Sequence, residues 1–123
     1  MSTDKITLEA ILEQQRLDLH KDFIELPVES PRIKEHKYGG VYLFKDSDNK
    51  VLYVGITDNI SRRVTSHKKG YGSQDIFNYL KDDLTVAFFR EDNITYRDIY
   101  ESYLIYTLRP RYNIGKTDRR KIT

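Results

Sequence analysis

Hydrophobic and polar residues alternate in the middle of the chain, where residues 39 to 57 read GGVYLFKDSDNKVLYVGIT. A period of two is typical of β-strands, whose successive side chains point to opposite faces of a sheet. In the first run one face carries Val41 and Leu43, and the other carries Gly40, Tyr42 and Phe44. Because the polar turn DSDN separates this run from VLYVGI, we predict a β-hairpin.

The pairing of these two strands decides where their tyrosines lie. If Lys45 pairs with Lys50 across the turn, Tyr42 stands directly opposite Tyr53, with β-carbons about 5 Å apart on one face. A slip of one residue would place the two phenols on opposite faces of the sheet. Any joint role of the two tyrosines therefore depends on the register.

Near the start of the chain, residues fall at helical spacing at Leu8, Ile11, Leu12, Gln15 and Leu19. This pattern predicts an amphipathic helix that begins close to Thr3 or Thr7. We expect its apolar face to dock on the rest of this domain, with a dimer partner as the alternative. The stretch that follows, LPVESPRIKEHK, contains two prolines and is predicted to be an extended connector.

A second helix is predicted over residues 58 to 69, within the stretch TDNISRRVTSHKK, and Asp58 is its predicted N-cap. Arg63 and His67 are four residues apart, so they share one face of this helix and flank Val64. The segment KGYGS ends the helix, SQDIFNYLKDD is predicted to be a short further helix, and LTVAFFR over residues 84 to 90 is predicted to be a strand.

The last predicted helix, TYRDIYESYLIYTL, opens at Thr95 and ends before Pro110. Glu101 shares its face with apolar residues three, four and seven positions on, namely Leu104, Ile105 and Leu108. A carboxylate buried on that face needs a cation, strong hydrogen-bond donors or a metal ion. Pairing with Arg97, one turn earlier, is the purely structural interpretation.

The length of 123 residues corresponds to one domain, and the absence of cysteine excludes disulfides and thiolate zinc sites. The three histidines, His20, His36 and His67, are too scattered to form a metal cluster. The start of the chain has neither a signal-peptide pattern nor the length of apolar sequence that a membrane span requires. We therefore expect a cytoplasmic protein that does not contact membranes.

Charge is unevenly distributed along the chain. Residues 1 to 36 carry five Lys/Arg against eight Asp/Glu, whereas residues 37 to 123 carry sixteen against eleven. The final nine residues, GKTDRRKIT, hold four cations and one anion. This tail has the composition of a segment that contacts polyanions, and a solvated terminus is the alternative interpretation.

Six positions together resemble the GIY-YIG nuclease family. They are GVY ending at Tyr42, YVG beginning at Tyr53, Arg63, His67, Glu101 and Asn113, and the resemblance extends from about Tyr38 to Gly115. It implies an α+β fold in which helices flank a small three-stranded antiparallel sheet. The chain then divides into an N-terminal helix and connector (1–36), a nuclease domain (37–115) and a basic tail (116–123). The resemblance is to a small, stand-alone member of the family.

The same resemblance implies a metal-dependent DNA endonuclease with Mg²⁺ or Mn²⁺ as its cofactor. Glu101 would be the metal ligand, and Arg63 would bind the scissile phosphate. Tyr42 and Tyr53 would position water and handle its proton, with Tyr42 favoured as the base provided that cations lower its pKa. The structural alternatives are a sheet aromatic for each tyrosine and a surface position for Arg63.

Two further site residues also have both a functional and a purely structural interpretation. The resemblance makes His67 a phosphate or proton-relay partner and Asn113 a hydrogen-bonding support of the site, whereas a surface histidine and a turn residue are the structural alternatives. Predicted DNA contacts are the cations around these positions: Arg62, Lys68, Lys69, Arg111, Lys116, Arg119 and Arg120. Ile56 occupies a position where many repair-type members carry lysine, so we expect a different branch of the family.

The alternative function is a catalytically inactive nucleic-acid-binding or interaction module on the same fold. No targeting module is evident in the sequence, so the expected partners are DNA, a targeting protein or a second copy of the chain. The setting, whether DNA repair, restriction or a mobile element, is left open by the sequence.

Overall fold

A four-stranded antiparallel sheet with strand order β1-β4-β2-β3 is the framework of the protein. The computed structural model describes residues 7, 21–72, 76, 78 and 83–113. The elements are β1 (Ile24–Pro27), a 3₁₀ helix (Pro31–Glu35), β2 (Gly40–Lys45), β3 (Val51–Thr57), α1 (Ile60–Lys68), β4 (Thr85–Arg90) and α2 (Ile94–Leu108). Within those ranges, every helix is too short or too polar to cross a membrane.

The α+β class is confirmed, whereas the prediction of three strands is wrong. The fourth strand, β1, begins two residues before the predicted connector and includes its first two residues, and it pairs with β4 so that Ile24 lies opposite Phe88. Burial explains its position, because Leu26 and Val28 enter the core. Pro27 can occupy this strand because β1 is at the edge of the sheet, where one side needs no donors.

The sheet separates two hydrophobic layers, as the alternation in β2 predicted. On one face, Tyr42 and Phe44 pack with Ile60 and Val64 of α1. On the other face, the β2 residues Val41 and Leu43 belong to a cluster that includes residues of α2, namely Tyr100 and Ile105. Helices α1 and α2 therefore lie on opposite faces of the sheet.

The predicted hairpin forms, but its register differs from the predicted one by two residues. Tyr42 lies opposite Gly55, and Tyr53 lies opposite Phe44. The turn explains the offset, because Asn49 adopts a left-handed conformation (φ 66°) after a hydrogen-bonded turn, and the pairing shifts between Phe44 and Lys45. A shift of two residues preserves the face, so Tyr42 and Tyr53 remain on the same side of the sheet.

Both long helices begin at an asparagine that the sequence analysis did not select. Asn59, and not Asp58, caps α1 by accepting a hydrogen bond from the backbone of Arg62. Asn93 caps α2 in the same way and begins that helix before Thr95. At its other end α2 stops before Pro110, as predicted, and Arg109 adopts the left-handed conformation there.

Three predicted segments fall largely outside the described residues. They are the N-terminal amphipathic helix, the basic tail 116–123 and most of the short helix in SQDIFNYLKDD. Of the last segment, Ile76 and Asn78 are described and helical, and Ile76 is buried.

The free edge of β3 is covered by the segment that follows α2. The Asn113 amide donates to the Val54 carbonyl and accepts from the Val54 amide, both at 2.9 Å. One residue earlier, the Tyr112 amide donates to the Leu52 carbonyl at 2.9 Å. Asn113 thus replaces a neighbouring strand at this point of the edge.

Removing this side chain should weaken the fold measurably. Asn113→Ala leaves both backbone groups of Val54 without their side-chain partner, and we expect a loss of about 1–3 kcal/mol in the free energy of unfolding. Urea denaturation measures it, with the exposed Thr107→Ala as a control that should stay within about 0.5 kcal/mol. Equal stabilities for the two variants would contradict the edge-covering role.

Candidate active site

The Tyr42 hydroxyl is the centre of a polar cluster inside the face that α1 covers. It lies 2.9 Å from His67 Nε2, and Arg63 Nε donates to it at 3.3 Å. Tyr42 and His67 are almost completely buried, with 1% and 0% of their surfaces exposed. The structure therefore brings together Tyr42, Arg63 and His67, as the sequence predicted.

Two elements position these groups. Tyr42 comes from β2, and Arg63 and His67 come from successive turns of α1. The Tyr42 ring extends across β3 at Gly55, where an added Cβ would stand 2.5 Å from the phenol oxygen. Gly55 is therefore required because the ring passes directly over its backbone.

Gly72 has a comparable role that the sequence analysis missed. A Cβ at this position would lie 2.1 Å from Nδ1 of His67, so the chain after α1 passes directly against the imidazole. The KGYG segment was interpreted only as the end of a helix, although the second glycine could have indicated a close approach to a side chain.

Tyr53 completes an aromatic group around the imidazole. Its ring centroid lies 6.2 Å from that of Tyr42 and 5.5 Å from that of His67. Phe44 packs edge-on against His67 at 5.1 Å. Tyr53 is partly exposed, so it is the phenol of the pair that faces the surface.

The environment favours neutral forms of both Tyr42 and His67. Burial raises the pKa of Tyr42, the neighbouring Tyr53 raises it further, and the hydrogen bond from Arg63 opposes both effects. Burial, followed by the positive charge of Arg63, lowers the pKa of His67 to about 4. At neutral pH the cluster therefore contains a phenol, a neutral imidazole and a guanidinium.

The charge of Arg63 fixes the direction of one of these hydrogen bonds. Arg63 can only donate, so the Tyr42 oxygen accepts from it. The hydroxyl hydrogen of Tyr42 is then free to point at His67, and a neutral imidazole accepts it at Nε2 when its proton is on Nδ1. The condition stated for Tyr42 as a base, a lowered pKa, is not met by the protein's own groups, because burial outweighs Arg63.

The start of α1 is fixed to the segment that precedes β2. The backbone carbonyls of His36 and Tyr38 accept from the amides of Ser61 and Ile60. The two side chains are themselves joined, with His36 Nδ1 2.7 Å from the Tyr38 hydroxyl. This attachment holds α1, and with it Arg63, against the sheet.

Glu101 lies on α2, the helix on the opposite face from α1. It is only 6% exposed, which confirms that this carboxylate is directed inward. Helix α2 packs against β3 and β2, and β3 is the edge strand over which the Tyr42 ring extends. Arg97, its predicted structural partner, donates from Nε to the Glu91 carbonyl and lies against Gly39.

Several predicted DNA contacts are engaged with carboxylates on the surface. Arg62 pairs with Asp58, and Lys68 pairs with Glu29 at 3.1 Å. Lys69 and Arg111 are exposed, and Lys116, Arg119 and Arg120 lie outside the described residues.

Among the residues that the structure describes, no three His, Cys, Asp or Glu side chains are grouped to hold a metal ion. A divalent cation here would therefore need most of its ligands from water and substrate. Mg²⁺ commonly binds in this way, keeping several waters and taking one or two carboxylates from the protein.

Comparisons with known proteins agree with this geometry. The family model of the GIY-YIG catalytic domain matches residues 38–113. UvrABC system protein C from Brucella abortus (strain 2308) is 37% identical over 80 residues, which cover 64% of this chain and 13% of that protein. The same protein from Petrotoga mobilis is 33% identical over 87 residues, covering 68% of this chain and 15% of the relative.

Similarity to these proteins does not support the different family branch that Ile56 suggested. This chain spans only 13% to 15% of the length of the two relatives.

A solved structure shows the same fold. It is the GIY-YIG N-terminal endonuclease domain of UvrC from Thermotoga maritima, bound to its catalytic divalent cation, magnesium. The match has a TM-score of 0.56 at 23% identity, and it covers 68% of this chain and 97% of that one. A tyrosine variant of that domain matches with a TM-score of 0.55 at 23% identity, covering 68% of this chain and 96% of that chain.

Burial of neutral His67 predicts a specific pH dependence of stability. Its pKa falls from an ordinary value near 6.5 to about 4, so the unfolded chain binds a proton that the folded chain rejects. Stability should therefore decrease as the pH falls from about 6.5 to about 4, by roughly 2–3 kcal/mol from this group. The free energy of unfolding, measured by urea denaturation at several pH values in this range, should depend less steeply on pH in His67→Gln than in the wild type. Equal pH dependence in the two proteins would contradict the assignment.

Proposed function

Because the chain belongs to the GIY-YIG family, we propose that it is a divalent-metal-dependent endonuclease that hydrolyses DNA phosphodiester bonds at the single site around Tyr42. The observation that carries this proposal is the buried Tyr42 hydroxyl, which contacts both Arg63 and His67. The Thermotoga maritima domain of the same fold, described as an endonuclease with a catalytic magnesium, supports it.

Tyr42 and His67 provide a route for the proton of the attacking water. The Tyr42 oxygen accepts this proton while its own hydrogen passes to Nε2 of His67, so no free phenolate has to form. The low pKa of His67 opposes the transfer in the free protein. An anionic phosphate in the site counters the charge of Arg63 and thereby raises the pKa of the imidazole.

Arg63 has the geometry of a phosphate-binding group. Its Nε donates to Tyr42, Tyr53 also lies within hydrogen-bonding reach of the guanidinium, and the remaining N–H groups can donate to phosphate oxygens. The same contact places the bound phosphate next to the Tyr42 hydroxyl. Tyr53, the more exposed phenol, lies where it can orient water or the substrate.

The residues present fit a single Mg²⁺ or Mn²⁺ ion. Glu101 supplies a hard carboxylate oxygen from an inward-facing position, and its helix packs on the strand beneath the Tyr42 ring. When bound, such an ion acts as a Lewis acid on the phosphate and lowers the pKa of a coordinated water. Glu101 would be its protein ligand.

The biological setting is part of this proposal. Relatives named for the UvrABC system favour a role in DNA repair together with partner proteins, over restriction or a mobile element. Two chains would be needed to cut both strands at once, because each chain provides one site. The expected location is the cytoplasm, where the DNA substrate of such a protein is found.

A non-catalytic nucleic-acid-binding module on this fold is the second candidate. The observation that favours it is the protonation of the cluster, since neither Tyr42 nor His67 is a ready base in the free protein. Substitution of a catalytic side chain separates the two functions. In an endonuclease it should abolish cleavage and leave DNA binding intact, whereas in a binding module there is no cleavage to lose.

Substitution of the proposed metal ligand is the first such test. With Mg²⁺ or Mn²⁺, Glu101→Gln should reduce nicking of supercoiled plasmid at least about 100-fold, because an amide replaces the charged ligand. Gel retardation should persist, and the exposed Asp98→Asn on the same helix should cut like the wild type. If chelation of divalent ions leaves cleavage intact, or Glu101→Gln retains full activity, the metal-dependent mechanism is wrong.

Removal of the central hydroxyl is the second test. Tyr42→Phe keeps the ring over Gly55 but deletes the proton route, so the single-turnover cleavage rate should fall about 10²–10⁴-fold. DNA affinity should change little, because Arg63 remains. The matched control is Tyr103→Phe, which removes a hydroxyl from a tyrosine that is 55% exposed on α2. Equal rates for the two variants would exclude Tyr42 from the chemistry.

A further inference from the structure

A cavity of about 670 Å³ opens between the turn of the β2–β3 hairpin and the C-terminal end of α2. We call it the hairpin-end cavity. Its cations are Lys50, Arg109 and Arg111, and its apolar wall is formed by Val51, Leu52 and Leu108. It lies outside the Tyr42 cluster, and the sequence analysis selected only Arg111 from it.

The two arginines of the cavity each lie beside a tyrosine ring. The Cζ atom of Arg109 is 5.1 Å from the centroid of the Tyr106 ring, and that of Arg111 is 5.4 Å from the centroid of the Tyr112 ring. A cation–π contact of this kind does not use the N–H groups of the guanidinium. Those groups match the paired oxygens of a phosphate.

Arg109 has a strained backbone conformation at the end of α2. Its φ of 49° lies in the left-handed region, at a helix end where glycine is the usual residue. An arginine there retains a cation at the edge of the cavity despite the conformational cost. Strain of this kind is an indication of function when other observations accompany it.

Two carboxylates also line the cavity, and they leave it with a positive balance. Asp46 already accepts hydrogen bonds from the backbone amides of Asp48 and Lys50 within the turn. Asp48 is exposed to solvent. Three cations therefore face two carboxylates, one of which is engaged locally.

Cations beside an apolar wall match the two parts of a nucleotide. Leu108 is 43% exposed and Val51 is partly exposed, so they provide an apolar surface for the flat face of a base. A contact with the DNA backbone alone would need the arginines but neither the apolar wall nor a recess of this size. A base that is paired within a duplex cannot enter such a cavity.

The cavity is close enough to the Tyr42 cluster to share one strand of substrate. Val51 at the cavity and Gly55 beneath Tyr42 are four residues apart on β3, about 13 Å along the strand. This distance corresponds to a few nucleotides. Resting on the endonuclease function proposed above, we propose that the hairpin-end cavity binds an unpaired nucleotide near the scissile bond and so favours forked or flapped DNA.

Arg109→Gly is a clean variant for testing this site. Glycine adopts the left-handed conformation without strain, so the variant deletes the guanidinium while the helix end is retained. Binding of the full chain is measured by fluorescence anisotropy, with chelator present, to a labelled duplex and to a forked duplex of the same paired sequence. The control is the exposed Arg32→Ala, which removes the same charge elsewhere.

The wild type should bind the fork more tightly than the duplex. Arg109→Gly should weaken fork binding about tenfold, the cost of a lost charged contact, and duplex binding no more than Arg32→Ala does. Equal losses on both substrates, no loss on either, or a wild type without preference for the fork would overturn the proposal. The binding measurement contains a chelator and no metal ion, so it does not depend on cleavage. Failure of the protein to cleave DNA in a separate assay would refute the endonuclease function and leave the measured preference for the fork unchanged.

Discussion

The hydrogen bonds of the Tyr42 hydroxyl are the interaction on which the arrangement of this protein depends. A buried hydroxyl requires partners, and Arg63 and His67, which supply two of its hydrogen bonds, come from α1. The bonds therefore orient α1 on the sheet as well as the reactive groups. The close passage of Tyr42 over Gly55 and of Gly72 against His67 leaves the ring and the imidazole little room to move. The contacts that pack α1 on the sheet are therefore the same contacts that arrange the polar groups of the cluster.

The sequence predicted those features that depend on local periodicity. The alternation around Tyr42 identified the hairpin and its two faces, and the spacing of Arg63 and His67 placed both on one side of a helix. The failures have physical causes that lie in tertiary contacts. Strand β1 is short and contains Pro27, so it resembled a connector until β4 was available to pair with it. The register depended on the left-handed Asn49, which periodicity does not detect.

The electrostatics of the site could not be obtained from residue types alone. The role of Tyr42 as a base was conditional on cations that lower its pKa, whereas burial dominates and raises it. The same burial keeps His67 neutral next to a guanidinium, a combination that costs stability in the free protein. An anion in the site relieves that cost, because it offsets the charge of Arg63. The proposed phosphate would therefore stabilise the cluster when it binds.

Strand β3 links the Tyr42 cluster, the covered edge of the sheet and the hairpin-end cavity. Gly55 lies beneath the Tyr42 ring, Val54 is joined to Asn113, and Val51 lines the hairpin-end cavity. Because β3 is at the edge of the sheet, it pairs with only one strand, and the Tyr112 amide and the Asn113 side chain occupy its other side. The backbone between the cavity and Gly55 is therefore held on both sides, which fixes the distance of about 13 Å between Val51 and Gly55.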